Sequence, residues 1–247
     1  LSQRWLNDLA AITSWAFALI AIGFIAYVPG FMNAFLLGTL LFDRRLPRVQ
    51  PAAYPPVSIL VAAYNEAAAI RDTLTSLAAQ TYPGDYEILV LNDGSTDATV
   101  ALARQAIRDL DFPANASVRV LDYAVNAGKA AVLNRGLNEA SHDLIITIDG
   151  DSWVRHDGLA QIVERLLTDP VNTVAVAGAV MVRNSRKNFL TRAQEWDYFH
   201  GIAAVKRMQS MYHGTLVAQG AFSLYTRAAL EQVGGWPECV GEDIVVS

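Results

Sequence analysis

Leu144-Ile145-Ile146-Thr147-Ile148-Asp149-Gly150-Asp151 is an apolar run that stops abruptly in two acids around a glycine. A short, continuous apolar run of this kind reads as a strand buried on both faces, as in a parallel sheet. Upstream, Ile88-Leu89-Val90-Leu91-Asn92 runs into Asp93 in the same way. Further apolar runs lie at Val57–Ala63, Val118–Leu121 and Val174–Val182. Helical patterns around 67–80, 97–108, 129–140 and 157–167 alternate with them. Strand, helix, strand predicts a mainly parallel, Rossmann-like α/β sheet with helices on both faces. Such sheets bind ligands beyond the carboxyl ends of their strands. Five acids, Asp93, Asp149, Asp151, Glu242 and Asp243, stand where strands run into loops. Carboxylates isolated there hold a metal or move a proton, so the chain reads as an enzyme.

The 247 residues suffice for one large domain or two small ones. Net charge is −5 and Lys/Arg-rich runs are absent, which argues against a nucleic-acid partner. Cys239 is the single cysteine, so an intrachain disulfide is excluded; it reads as a packing residue. His142, His156, His200 and His213 show no metal-ligand spacing, and no serine nucleophile elbow occurs.

From Ile12 to Phe42 no residue is charged, which exceeds the roughly 20 apolar residues needed to cross a bilayer. Residues 1–45 are therefore expected to be a membrane segment. Pro29-Gly30 makes it either one kinked helix or a helix plus a re-entrant piece. Arg44, Arg45 and Arg48 follow the span while only Arg4 precedes it, which places the remainder in the cytosol. Pro47, Pro51, Pro55 and Pro56 mark residues 46–56 as a stiff linker to a domain over 57–247. From Asn184 to Gly214 aromatic and basic residues interleave, which fits either contact with an anionic membrane surface or a packed helix with a basic face.

Four ordered motifs carry a resemblance: Val61-Ala62-Ala63-Tyr64-Asn65-Glu66, Asn92-Asp93-Gly94-Ser95-Thr96-Asp97, Asp149-Gly150-Asp151 and Gly241-Glu242-Asp243. Together they resemble family 2 inverting glycosyltransferases of GT-A fold. The similarity is strongest to the processive bacterial membrane synthases of poly-N-acetylglucosamine, hyaluronan and chitin oligosaccharides, and it extends to Tyr27-Val28-Pro29-Gly30-Phe31-Met32-Asn33 in the membrane segment. It implies a nucleotide-binding half over 57–152 and an acceptor-binding half over 153–247. It also implies a UDP-sugar donor, N-acetylglucosamine first among the sugars, a glycan acceptor, and a place in the bacterial inner membrane with the catalytic domain cytosolic. Membrane lipid and a small membrane subunit are further expected partners.

The resemblance distributes roles. Cleaving a sugar–phosphate bond leaves growing negative charge on the β-phosphate, which a carboxylate-held divalent cation offsets as a Lewis acid. Asp151 is the expected metal ligand, with Asp149 between metal and ribose; oxygen donors suit Mg²⁺ or Mn²⁺ and not Zn²⁺. Asp93 is expected at the nucleobase, unless it caps a turn. Ala62, Tyr64 and Glu66 form the other side of that pocket. Asn126-Ala127-Gly128-Lys129 is no Walker loop, because Tyr123 and Ala130 break the pattern. Lys129 is expected either at the diphosphate or uracil, or as a plain helix start. Asp243 is the expected general base, worth about 10² to 10⁴ in rate. Glu242, Gln219, Gly220 and Trp236 are expected on the acceptor side, Trp236 as a sugar platform or as core.

Processive relatives continue into a Gln-x-x-Arg-Trp motif and further membrane helices, whereas this sequence stops at Ser247. A fragment that binds UDP-sugar but polymerises poorly is the expectation. A non-processive transferase acting on a lipid phosphate carrier is the alternative, followed by a nucleotidyltransferase or a non-catalytic sensing module.

Overall fold

A computed structural model describes residues 2–42, 50–199, 205, 207–208 and 221–237. The chain forms two compact units, one of residues 1–45 with 181–214 and one of residues 46–180 with 215–247. The described part of the stretch beginning at Asn184 falls in the first unit.

In the first unit, α1 (Ser2–Ile12) ends at a break, and Ser14 opens α2 (Trp15–Ile22) by accepting the N–H of Phe17 at 3.2 Å. A π-helical turn, Gly23–Tyr27, leads directly into α3 (Val28–Leu41). Proline has no N–H to offer the carbonyl four residues back. Here the turn before Pro29 widens instead of breaking, with Val28 N–H donating to Gly23 O. Of the two sequence alternatives, the structure has the single helical run, Trp15–Leu41, long and apolar enough to cross a membrane by length and composition. Later in the chain the same unit holds the described helix Phe189–Tyr198, opened by a reciprocal capping box between Asn188 and Thr191. Phe189, Leu190 and Trp196 on this helix are exposed.

The second unit carries a six-stranded sheet in the order β3-β2-β1-β4-β6-β5. Its strands are β1 (Val57–Ala63), β2 (Tyr86–Asp93), β3 (Ala116–Tyr123), β4 (Leu144–Asp149), β5 (Ala175–Ala177) and β6 (Phe222–Thr226). β1, β2, β3 and β4 are parallel; β6 is antiparallel to both β4 and β5. Alternate β1 side chains go to opposite faces. Ile59 and Val61 pack with α4 (Ile70–Ala78), α5 (Thr99–Asp109) and α7 (Gly158–Thr168), while Leu60 packs with α6 (Lys129–Glu139) on the other face.

Three differences from the sequence reading stand out. β3 is not buried on both faces: as the edge strand it leaves Ser117, Arg119 and Asp122 exposed. The run from Val174 shrinks to the three residues of β5. β6 and the short helix after it, Arg227–Val233, were not anticipated. The end of the linker is also docked: Tyr54 donates to Glu164 at 2.5 Å and meets Tyr82 edge-on, and the Tyr82 hydroxyl donates to the Pro55 carbonyl.

Candidate functional site

β1 lies between β2 and β4, and the chain leaves it toward β2 but returns to its other side with β4. That reversal is a topological switch point, where a crevice opens beyond the strand ends. A cleft of about 460 Å³ lies there, lined by Ala62, Tyr64, Glu66, Asp93, Lys129, Asp149 and Asp151 among others. Every residue expected to bind nucleotide or metal from the sequence therefore comes together in one place.

The loop after β1 is stitched to the loop after β2. Asn65 is left-handed at φ 57, a conformation that Asn tolerates better than most residues. Its N–H donates to Ser95 Oγ at 2.9 Å and its side-chain oxygen accepts from Thr96 N–H at 2.8 Å. Glu66 N–H donates to Thr99 Oγ1 and Ala67 N–H to Asp97 Oδ2. The hydrogen bond from Thr99 holds the Asp97 carboxyl below its ordinary range. Asn65, Ser95, Asp97 and Thr99 were not singled out as site residues. The sequence signal was the density of Asn, Asp, Ser and Thr in both loops.

Asp93 is buried, and its two carboxylate oxygens accept from Ala127 N–H and Gly128 N–H, each at 2.8 Å. The carboxylate thus binds the loop before α6 and sets the entry to that helix. Gly94, at φ 67, is required because a Cβ there would collide with the backbone of Asn126. Lys129 is the first residue of α6, and its Nζ lies 2.6 Å from Asp149 Oδ1. Lys129 is thus the helix start that the sequence offered as one alternative, and its ammonium lines the cleft.

At the end of β4 the Gly150 N–H donates to Ala62 O at 2.8 Å. A Cβ on Gly150 would sit 3.0 Å from that carbonyl and 3.1 Å from Ala63 Cβ, so the close approach of β4 to β1 needs glycine. Asp149 and Asp151 flank this contact. Asp149 is paired with Lys129, whereas Asp151 is exposed at the cleft and has no hydrogen-bond or ion-pair partner among the described residues. Burial, and then the negative charges of Asp151, Asp149 and Asp97, raise the Glu66 carboxyl above its ordinary value.

This donor set fits a hard divalent cation. Among the described residues no preformed group of three or more His, Cys, Asp or Glu ligands exists. Mg²⁺ and Mn²⁺ sites in nucleotide enzymes typically use one or two carboxylates, with phosphate and water completing the shell. Asp151 with Asp149 supplies that number, and Glu66, Asp149 and Asp151 line the cleft with Lys129 beside them.

Trp236 is core. It is 2% exposed, edge-on to Tyr225 at 5.8 Å, and its backbone is held by Asn134. Of its two sequence alternatives the sugar platform is corrected to packing, since a buried ring has no face to offer a sugar. Gln219, Gly220, Glu242, Asp243 and the arginines at 44, 45 and 48 lie outside the described residues.

Residues 58–234 match the glycosyl transferase family 2 profile. The poly-beta-1,6-N-acetyl-D-glucosamine synthase of Staphylococcus epidermidis is 32% identical over 225 residues, covering 90% of this chain and 52% of the relative. The synthase of the same name from Staphylococcus aureus strain COL is 30% identical over 91% of this chain and 55% of its own length. The chain thus spans about half the length of the curated relatives it matches. Among solved structures, the mannosyltransferase PcManGT of Pyrobaculum calidifontis, in complex with GDP-Man and Mn²⁺, is similar at TM-score 0.67 and 25% identity. That similarity covers 92% of this chain and 61% of that one. S. aureus TarS in complex with UDP-GlcNAc shares the fold at TM-score 0.50 and 18% identity, over 77% of this chain and 52% of its own. With the profile spanning most of the chain and the strand-end acids in one cleft, the chain belongs to glycosyl transferase family 2 and has the GT-A fold.

Proposed function

We propose that the chain is the donor-binding part of a membrane-anchored, inverting glycosyltransferase that moves N-acetylglucosamine from its UDP conjugate to a growing polysaccharide. The observation that carries this reading is the convergence of Asp93, Lys129, Asp149 and Asp151 on one cleft at the β1/β4 switch point. The names of the curated relatives support the choice of sugar. The apolar helix Trp15–Leu41 supports anchoring; the proposed side, with the α/β unit in the cytosol of the bacterial inner membrane, rests on Arg44, Arg45 and Arg48 following the span while only Arg4 precedes it.

In the proposed reaction an acceptor hydroxyl attacks the anomeric carbon while the bond to the UDP β-phosphate oxygen breaks on the opposite face. The hydroxyl proton passes to Asp243, and UDP leaves with the bonding electrons, inverting the carbon in one displacement. Lys129 brings a positive charge from the first turn of α6 toward the diphosphate, steadied in the free protein by Asp149. The Asp93-bound loop holds that helix entry in place. Tyr64 and Glu66 border the nucleoside, and Gln219, Gly220 and Glu242 the acceptor. Mg²⁺ or Mn²⁺ held by Asp151 with Asp149 would offset the charge that builds on the β-phosphate.

The test is donor competition on the detergent-solubilised chain in Mn²⁺. UDP-N-acetylglucosamine is expected to bind at least about tenfold more tightly than GDP-mannose, a difference of ~1.4 kcal/mol. Equal affinity, or a preference for GDP-mannose, would overturn the donor assignment.

A further inference from the structure

The segment after β4 is irregular from Gly150 to Asp157, yet it runs against buried strands and its backbone polar groups need partners. α4 and the turn after it supply them. Thr73 and Ser76 lie on the inner face of α4 with Ile70, Leu74 and Leu77, and Gln80 lies two residues past the helix end; the three are 1%, 2% and 5% exposed. Thr73 Oγ1 donates to Gly150 O at 2.8 Å. Ser76 Oγ accepts from Val154 N–H at 3.0 Å, and donates to Thr73 O at 2.7 Å. Gln80 donates to Arg155 O at 2.9 Å and accepts from Leu159 N–H at 3.3 Å. Thr81 N–H completes the set on His156 O at 2.8 Å.

The first of these contacts has a chemical consequence. Gly150, through the peptide on either side of it, joins the two acids of the cleft, and the Gly150–Asp151 peptide is the second of these. Its carbonyl is fixed by Thr73, and the amide on the other side of Gly150 is fixed by Ala62 O. With both amides pinned, the backbone directions from which Asp149 and Asp151 project are set before any ligand arrives. α4 begins just after Glu66, so the helix that clamps the Asp149-Gly150-Asp151 turn also ends the loop that borders the cleft from β1.

We propose that Thr73 is a positioning residue for metal-dependent nucleotide binding, acting through the Gly150 carbonyl on Asp149 and Asp151; this rests on the donor-site reading above. Thr73→Val keeps the shape but removes the donor, leaving a buried carbonyl unpaired and the peptide free to tilt. Thr73→Ser retains the hydroxyl.

The experiment is calorimetric titration of the detergent-solubilised chain with UDP, with and without Mn²⁺, for wild type, Thr73→Val and Thr73→Ser. Thr73→Val is expected to weaken UDP binding in Mn²⁺ about tenfold, the net worth of roughly one buried hydrogen bond, and to leave metal-free UDP binding within about twofold. Thr73→Ser is expected to restore the Mn²⁺ enhancement. Equal losses with and without Mn²⁺, or no rescue by serine, would overturn the positioning role while leaving the donor site standing. Absence of Mn²⁺-dependent UDP binding by the wild type would overturn the donor-site reading, and the positioning role with it.

Discussion

The two ends of the same strands hold acids in opposite conditions. At the amino end, Glu87 of β2 is 5% exposed and fully engaged: it accepts from Ser58 Oγ at 2.6 Å and Ser141 N–H at 2.5 Å, and pairs with Arg119 at 3.3 Å. Burial pushes its carboxyl upward, but the hydrogen bonds from Ser58 and Ser141 outweigh it and hold the group below its ordinary range. At the carboxyl end, burial first, and then the charges of Asp151, Asp149 and Asp97, push Glu66 the other way, with no hydrogen bonds that outweigh them. One acid is a satisfied bolt between β1, β2 and the α6–β4 turn. The others are acids crowded together, a condition that a bound divalent cation would relieve. Acid type and burial alone do not separate structure from function; the partners each acid has in the fold do.

The largest expected effect falls on the crowded end. Asp151→Asn should cut UDP affinity in Mn²⁺ about a hundredfold or more, by calorimetry, because neutralising one of two carboxylates removes the main cation ligand. Thermal stability should not fall, since Asp151 has no hydrogen-bond or ion-pair partner among the described residues.

Glu87→Ala comes next and reverses the pattern. It should cost about 2 kcal/mol in denaturant unfolding, because Ser58 and the Ser141 amide lose a buried acceptor. UDP affinity of the folded fraction should stay at the wild-type value. The pH dependence follows from the direction of the shift. A carboxyl whose folded pKa is depressed stabilises fully above its unfolded value near 4.5, and that contribution fades as pH falls through the lower folded pKa. The gap in stability between wild type and Glu87→Gln should therefore narrow on acidification below pH 4.5.

Lys129→Ala should weaken UDP binding about tenfold, since on the proposed reading its ammonium, on a side chain 33% exposed, would contribute one charge-assisted contact to the diphosphate. Smallest of all, breaking the Arg71–Asp109 pair with Asp109→Ala should change stability by less than about 0.5 kcal/mol. Its side chains are 48% and 41% exposed, and water screens such pairs. A loss comparable to that of Glu87→Ala would break the rule that burial and partners decide an acid's worth.

The comparison also explains what the sequence disclosed. β1, β2 and β4 were legible because strands buried on both faces read as unbroken apolar runs, and their terminal acids contrast sharply with them. β6 escaped because Phe222-Ser223-Leu224-Tyr225-Thr226 mixes polar and apolar residues and joins the sheet antiparallel, far along the chain from β4. Its buried Ser223 carries no local mark of burial. Within the cleft, the acids and Lys129 were visible as isolated charges at strand ends and at a helix start. Their partners were not, because the Thr73–Gly150 bond and the Asp93 bonds to 127 and 128 join residues 34 to 77 positions apart. Trp236 was ambiguous for a similar reason: only tertiary packing against Tyr225 and Asn134 decides whether an aromatic ring is core or platform.

The central claim, that the crowded acids at the β1/β4 switch point form a cation-dependent nucleotide site, is tested most directly by titrating the wild-type chain in detergent with UDP, with and without Mn²⁺. The account predicts saturable 1:1 binding at least about tenfold tighter in Mn²⁺. UDP binding that is indifferent to Mn²⁺, or absent in both conditions, would contradict it.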